Sequence, residues 1–112
     1  MKIKPLVLHL VVLAALLFSL ANTALAQVDA GKDALYVKSL AATCANCHGT
    51  NGKAVDGSSV VSIAGLDKAY LVAQMKAFKA GTRPATIMHQ LSKGYSDAQI
   101  ETLAIYFAAQ KK

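Results

Sequence analysis

The only two cysteines of this 112-residue chain stand three positions apart in Cys44-Ala45-Asn46-Cys47-His48, with a histidine directly behind the second. Any fold must bring these two thiols and that imidazole to one place. No cysteine is left for a structural disulfide. The composition sharpens the constraint. Residues 27–112 contain 42 apolar residues, but 16 are Ala and two are Cys, and there is no Trp. The 24 larger apolar side chains that remain make a thin core. Domains of this size commonly need a staple, a metal or a cofactor. The arithmetic fits one small domain and argues against a multidomain enzyme, a disordered tail and a disulfide-rich scaffold.

The rest of the apolar content sits at the start. Met1-Lys2-Ile3-Lys4 is basic, Leu6 to Leu20 is almost all Leu, Val and Ala, and Ala24-Leu25-Ala26 follows. Basic start, apolar middle and A-x-A end describe a secretory signal peptide over residues 1–26, cleaved to leave Gln27 first. The uncharged run Pro5 to Val28 is nearly long enough for a membrane anchor. Asn22, Thr23 and Gln27 dilute its second half, however, and no basic stop follows. Export implies a periplasmic domain over residues 27–112, with no stable membrane insertion after cleavage. Losing Lys2 and Lys4 lowers the net charge from +6 to +4.

Gly31 to Ala42 reads as a helix leading into the cysteines, with Leu35, Leu40 and Ala41 on one face. Asn46 to Gly65 has loop composition. Asp67 is placed to cap a helix from about Lys68 to Ala80, with a stripe of Leu71, Met75 and Phe78 and a stop at Gly81. Thr82 to Tyr95 is irregular, broken by Pro84 and Gly94. Ser96-Asp97-Ala98-Gln99 matches a capping box. It opens a last helix that buries Ile100, Leu103, Ala104 and Phe107. No strand pattern exists beyond the short Val60-Val61-Ser62-Ile63. The chain reads as three helices and two long loops.

C-x-x-C-H is the attachment motif of c-type haem. Two thiols one helical turn apart reach the two vinyl groups on a porphyrin edge, and the adjacent histidine supplies the proximal iron ligand. A thioredoxin-like C-x-x-C needs a βαβ setting that is not visible. A tetrahedral zinc site lacks ligands, since His89 is the only other histidine after residue 26. A bare Cys44–Cys47 disulfide leaves His48 without a role. Covalent haem uses all three residues and supplies the missing core.

The sixth iron position decides what such a haem does. A His/Met pair raises the potential and closes the iron, which suits electron transfer. Met75, Met88 and His89 are the candidates. Met75 lies on a helix stripe, where Met is usually packing. Met88 lies in the irregular stretch 40 residues after His48 and is favoured as distal ligand. His89 is its neighbour, so a slip of one position reaches it.

With Cys44-Ala45-Asn46-Cys47-His48-Gly49 near the start, Met88 in a late loop and a closing helix Ser96 to Gln110, residues 30–112 resemble a small bacterial class I cytochrome c. Leu40-Ala41-Ala42-Thr43-Cys44, Ile63-Ala64-Gly65-Leu66, Tyr70 to Lys76 and Arg83 to Gln90 are similar to the cytochrome subunit of flavocytochrome c sulfide dehydrogenases. The resemblance implies an all-α class I cytochrome c fold, with three main helices around one covalently bound haem c. Cys44 and Cys47 would hold the thioethers, His48 the proximal position and Met88 the distal one. The chain would be an electron carrier, the non-catalytic partner of a flavoprotein that oxidises sulfide. One position departs from the family. Many members place Gly eight residues before the first cysteine, where the terminal helices touch, and this chain has Tyr36 there. The helix crossing must then differ locally, or use Ala41 or Ala104 as the small contact. Tyr106 and Phe107 are the aromatic candidates on the last helix.

Lys53, Lys68, Lys76, Lys79, Arg83 and Lys93 supply most of the remaining positive charge. They read either as a solvated surface or as a basic ring that steers acidic redox partners. Arg83 is also a candidate to neutralise a haem propionate. An exported chain without a basic cluster is not a nucleic-acid binder. There is no G-x-G-x-x-G and no room for a dinucleotide domain, so any flavin belongs to a partner. Three alternatives stay open: a free-standing respiratory carrier, a haem sensor or enzyme with an open sixth position, and a thiol protein without haem.

Overall fold

The computed structural model describes the backbone of residues 5–112 and the side chains of residues 7–18 and 33–112. The order of elements is α1 (Pro5–His48), a 3₁₀ turn (Thr50–Gly52), α2 (Lys68–Ala80), α3 (Met88–Leu91), a second 3₁₀ turn (Ser92–Gly94) and α4 (Asp97–Ala108). There is no strand among the described residues, and Val60 to Ile63 is irregular.

The chain divides into two units, Met1–Leu35 and Tyr36–Lys112. In the first, the large apolar side chains from Val7 to Phe18 are about half exposed or more. The expected cleavage after Ala26 falls among side chains outside the described residues. Among the described residues no helix is long and apolar enough to cross a membrane.

The second unit carries the motifs. Helix α1 does not stop at Ala42 as expected. It continues through both cysteines to His48, because nothing between Ala42 and His48 breaks a helix. Gly49 stops it. Its φ is +82°, and a Cβ there would lie 2.0 Å from the Lys53 carbonyl oxygen.

Helix α2 begins and ends where the sequence signals put it. Asp67 accepts a hydrogen bond from the Tyr70 N–H at 2.8 Å. The N–H of Gly81 closes the other end on the Phe78 carbonyl at 3.0 Å. The capping box of α4 is complete. The Gln99 N–H donates to Ser96 Oγ at 3.2 Å, and the Ser96 N–H donates to Gln99 Oε1 at 2.9 Å.

The core is as small as the composition requires. Its cluster is Ala41, Leu71, Leu103, Ala104 and Phe107, one or more residues each from α1, α2 and α4. Ala41 and Ala104 are both 3 % exposed and belong to this same cluster. Tyr36, in place of a glycine, keeps its side chain half exposed and accepts a bond from Gln99 Nε2 at 3.2 Å. The expected α4 stripe is buried in full, with Ile100 at 0 %. Leu35 is 66 % exposed and does not share the buried face with Leu40 and Ala41.

The loop after α1 is pinned rather than loose. The carbonyl of Gly52 accepts from the N–H groups of Ile63 and Ala64 at 2.8 and 3.0 Å, and the Gly65 N–H donates to the Phe107 carbonyl at 2.8 Å. Gly52 is buried beneath this knot. The hydroxyl of Tyr106 holds Asn51 by its Oδ1 at 2.7 Å, where Asn51 adopts a left-handed φ of +55°. The rings of Tyr106 and Phe107 meet edge to face at 5.2 Å.

Candidate functional site

The helices enclose an open cleft with about 790 Å³ of empty space, its mouth included. Its wall is almost wholly apolar. Leu71, Met75 and Phe78 come from α2, and Ile100, Leu103 and Phe107 from α4. The α2 stripe therefore packs on α4 through Leu71 and also lines the cleft, where Met75 and Phe78 stay partly exposed.

Five polar or ligating side chains that the sequence singled out reach this wall: Cys44, His48, Met75, Met88 and Arg83. Helix α1 delivers Cys44 and Cys47 three residues apart, on neighbouring positions of one face. Cys44 is half-buried and lines the cleft, whereas Cys47 is exposed. Burial pushes the Cys44 thiol above its ordinary pKa. Its contacts with the Thr43 and Tyr95 side chains pull the other way, and the nearby Cys47 adds to the rise.

The orientation of His48 is set by the loop that follows it. Its Nδ1 lies 2.7 Å from the carbonyl oxygen of Val61. A carbonyl only accepts, so Nδ1–H donates, and the lone pair is left on Nε2. A fixed tautomer with a bare second nitrogen is what a metal-binding imidazole requires.

The three candidates for the distal position differ in their surroundings. Met88, the first residue of α3, lines the cleft. Met75 lines it too, but its sulfur accepts a hydrogen bond from the fully buried Ser92 hydroxyl at 3.6 Å. His89 is not part of the wall, and its Nδ1 is buried with no hydrogen-bond partner among the described residues. Successive residues on a helix point about 100° apart, which turns His89 away when Met88 faces in.

Arg83 lies on the wall with its guanidinium 4.6 Å from the centre of the Phe78 ring, and it donates to Gln74 Oε1. The lysines are less free than a steering ring needs. Lys68 pairs with Glu101 at 3.0 Å and Lys79 with Asp97 at 2.9 Å, while Lys93 donates to Gln90 at 3.1 Å. The pair with Lys79 holds the Asp97 carboxyl below its ordinary value.

Sequence reasoning missed Tyr95, Thr43, Ser92 and Val61. Val61 acts through its backbone, which carries no residue signal. Thr43 and Tyr95 join at 2.7 Å across 52 residues of chain, and no local pattern encodes that meeting.

An apolar cleft presenting a thiol, a tautomer-fixed imidazole and a thioether fits a flat apolar macrocycle with an iron at its centre.

The family model described as Cytochrome c matches residues 34–110. The chain is 39 % identical over 74 residues to the cytochrome subunit of sulfide dehydrogenase from Chlorobaculum tepidum, covering 65 % of this chain and 64 % of that protein. It is 35 % identical over 71 residues to the thiosulfate dehydrogenase electron acceptor of Thiomonas intermedia, covering 63 % of this chain and 33 % of that one. It is 36 % identical over 99 residues to cytochrome c4 of Pseudomonas aeruginosa, covering 88 % of this chain and 48 % of the relative. The aligned region thus spans from a third to just under two thirds of these relatives.

Proposed function

Because the chain belongs to the cytochrome c family, with one covalent haem c as its cofactor and electron transfer as its function, we propose a specific ligand set and a specific setting for it. Cys44 and Cys47 form the thioethers, His48 binds the iron through Nε2, and Met88 takes the sixth position. The observation that carries this reading is the cleft itself. Cys44, His48 and Met88 all reach it, and the Val61 carbonyl holds His48 in the tautomer a ligand needs.

Haem supplies a one-electron Fe(III)/Fe(II) couple when bound. The chain's own contributions are to hold, shield and orient. Leu71, Phe78, Ile100, Leu103 and Phe107 exclude water from the cleft. The Val61 carbonyl fixes the ring direction of His48 and raises the basicity of its free nitrogen. Arg83, anchored on Phe78 and Gln74, keeps further N–H donors at the wall for a carboxylate such as a propionate.

The proposed setting is periplasmic, after removal of residues 1–26. There the chain accepts electrons one at a time from a flavoprotein dehydrogenase that oxidises sulfide. The similarity to the Chlorobaculum tepidum subunit supports that partner class. Bond chemistry stays with the partner. A second reading, a free-standing carrier, is favoured by the wider coverage of this chain in the cytochrome c4 alignment.

Isolation of the exported protein tests both parts. A mass one haem above the chain beginning at Gln27, with near-infrared absorption of Met–Fe(III), is the expected result. The mass of the bare chain overturns the reading. Co-purification with a flavin-containing protein supports the sulfide setting, and a monomer with no such companion favours the free carrier.

A further inference from the structure

Residues 81–96 join α2 to α4 and carry Met88 in their middle. The first part of this segment is fastened to α2. The Thr82 hydroxyl donates to the Ala77 carbonyl at 3.2 Å, and Arg83 rests on Phe78 and Gln74. Around Met88 the backbone bonds are local: the N–H groups of Gln90 and Leu91 return to Ile87. The next fastenings come at Ser92, on Met75, and at Tyr95.

Tyr95 is held from two directions. Its hydroxyl meets Thr43, next to Cys44 on α1, at 2.7 Å. Its backbone carbonyl accepts from Lys79 Nζ at 2.8 Å, and the same ammonium meets Asp97 Oδ1 at 2.9 Å. Lys79 thus ties the last turn of α2 to the final residue before the α4 cap and to the first residue of α4. Its side chain is 33 % exposed, against 50 % for Lys68 in the other ion pair between these helices. Lys68 binds Glu101, inside α4 and outside the Met88 segment.

We propose that Lys79 is a positioning residue for Met88: it closes the segment behind the methionine and so resists displacement of the thioether from the sixth position. The proposal rests on Met88 as distal ligand. For the thioether to leave, the Ile87–Leu91 turn must shift, and slack for that must come from one end of the segment. Pro84 and the anchored Arg83 restrict the front. At the rear, α3 and the 3₁₀ turn swing out only if Tyr95 lets go of Lys79. Such an opening breaks a charge-assisted hydrogen bond and leaves a half-buried carbonyl unpaired. Asp97 keeps the ammonium in place throughout.

The test uses the haem-loaded protein and its Lys79→Met, Lys79→Arg and Lys68→Met variants. Imidazole is titrated into each oxidised protein, and loss of the near-infrared Met–Fe(III) absorption is followed. The guanidinium unfolding midpoint is measured separately. We expect Lys79→Met to bind imidazole about tenfold more tightly, the equivalent of one charge-assisted bond no longer opposing the opening. Lys79→Arg, which keeps the donors, stays close to the parent. Lys68→Met loses global stability without a change in imidazole affinity. Unchanged affinity in Lys79→Met overturns the proposal, because the thioether then leaves without moving Tyr95. Equal tightening in Lys68→Met also overturns it, because the effect is then general softening. A parent protein without the near-infrared band removes the Met88 reading itself, and the proposal falls with it.

Discussion

The buried hydroxyl of Ser92 donates to the sulfur of Met75, so one of the two methionines lining the cleft is already engaged by the protein. Its role is packing, with the hydroxyl satisfied as part of the same contact. Met75→Leu is therefore expected to keep the near-infrared Met–Fe(III) absorption. Its stability falls by about 1–2 kcal/mol, from repacking and an unpaired hydroxyl. Met88→Ala is expected to abolish the absorption and let the reduced protein bind carbon monoxide. Optical spectra of the two variants separate the methionines.

Gly52 admits no side chain. A Cβ there would stand 2.7 Å from both Ile63 Cγ1 and Phe107 Cδ1, on a backbone with φ of +81°. Gly52→Ala combines left-handed strain with overpacking, for an expected loss of about 2–4 kcal/mol. Denaturant unfolding of the holoprotein measures it. The carbonyl of Gly52 also gathers the loop whose Val61 holds His48, so the variant is expected to disturb the orientation of His48 as well.

Asp97 sets an acid limb. Its folded pKa lies below its unfolded value, because Lys79 bonds and attracts the carboxylate. The unfolded chain then binds more protons through this group as pH falls. The contribution is complete above the unfolded pKa and disappears as pH drops through the folded one. Asp97→Asn is expected to flatten the decline of melting temperature between about pH 5 and pH 2, while stability changes less at pH 3 than at pH 7.

Ser96 caps α4 through the bond from the Gln99 N–H. Ser96→Ala is expected to cost about 1 kcal/mol, and Ser96→Gly only a few tenths. Calorimetric melting of both variants distinguishes the lost oxygen from any change in backbone entry.

Much of this was legible in the chain because the signals are local. Asp67 and Gly81 bound α2, and Ser96 with Gln99 opens α4, since caps are decided within four residues. Ile100, Leu103, Ala104 and Phe107 announce their face by spacing alone. Cys44, Cys47 and His48 are adjacent, so their joint chemistry needs no tertiary knowledge. What escaped depends on distant meetings. The contact of His48 with Val61 is made by a backbone oxygen. Thr43 finds Tyr95, and Lys79 finds Tyr95 and Asp97, only after α2 and α4 have packed. The lysines looked alike in sequence, and their partners divide them into paired and free.

The contact between Thr43 and Tyr95 also has a direction. Thr43 has a single hydroxyl proton and donates it to the Leu40 carbonyl at 2.7 Å, so Tyr95 must be the donor to Thr43. The phenolic proton therefore points at the side chain next to Cys44 on α1. Tyr95 thereby works as a clasp: a single phenolic proton joins the segment that follows Met88 to the helix that carries both cysteines.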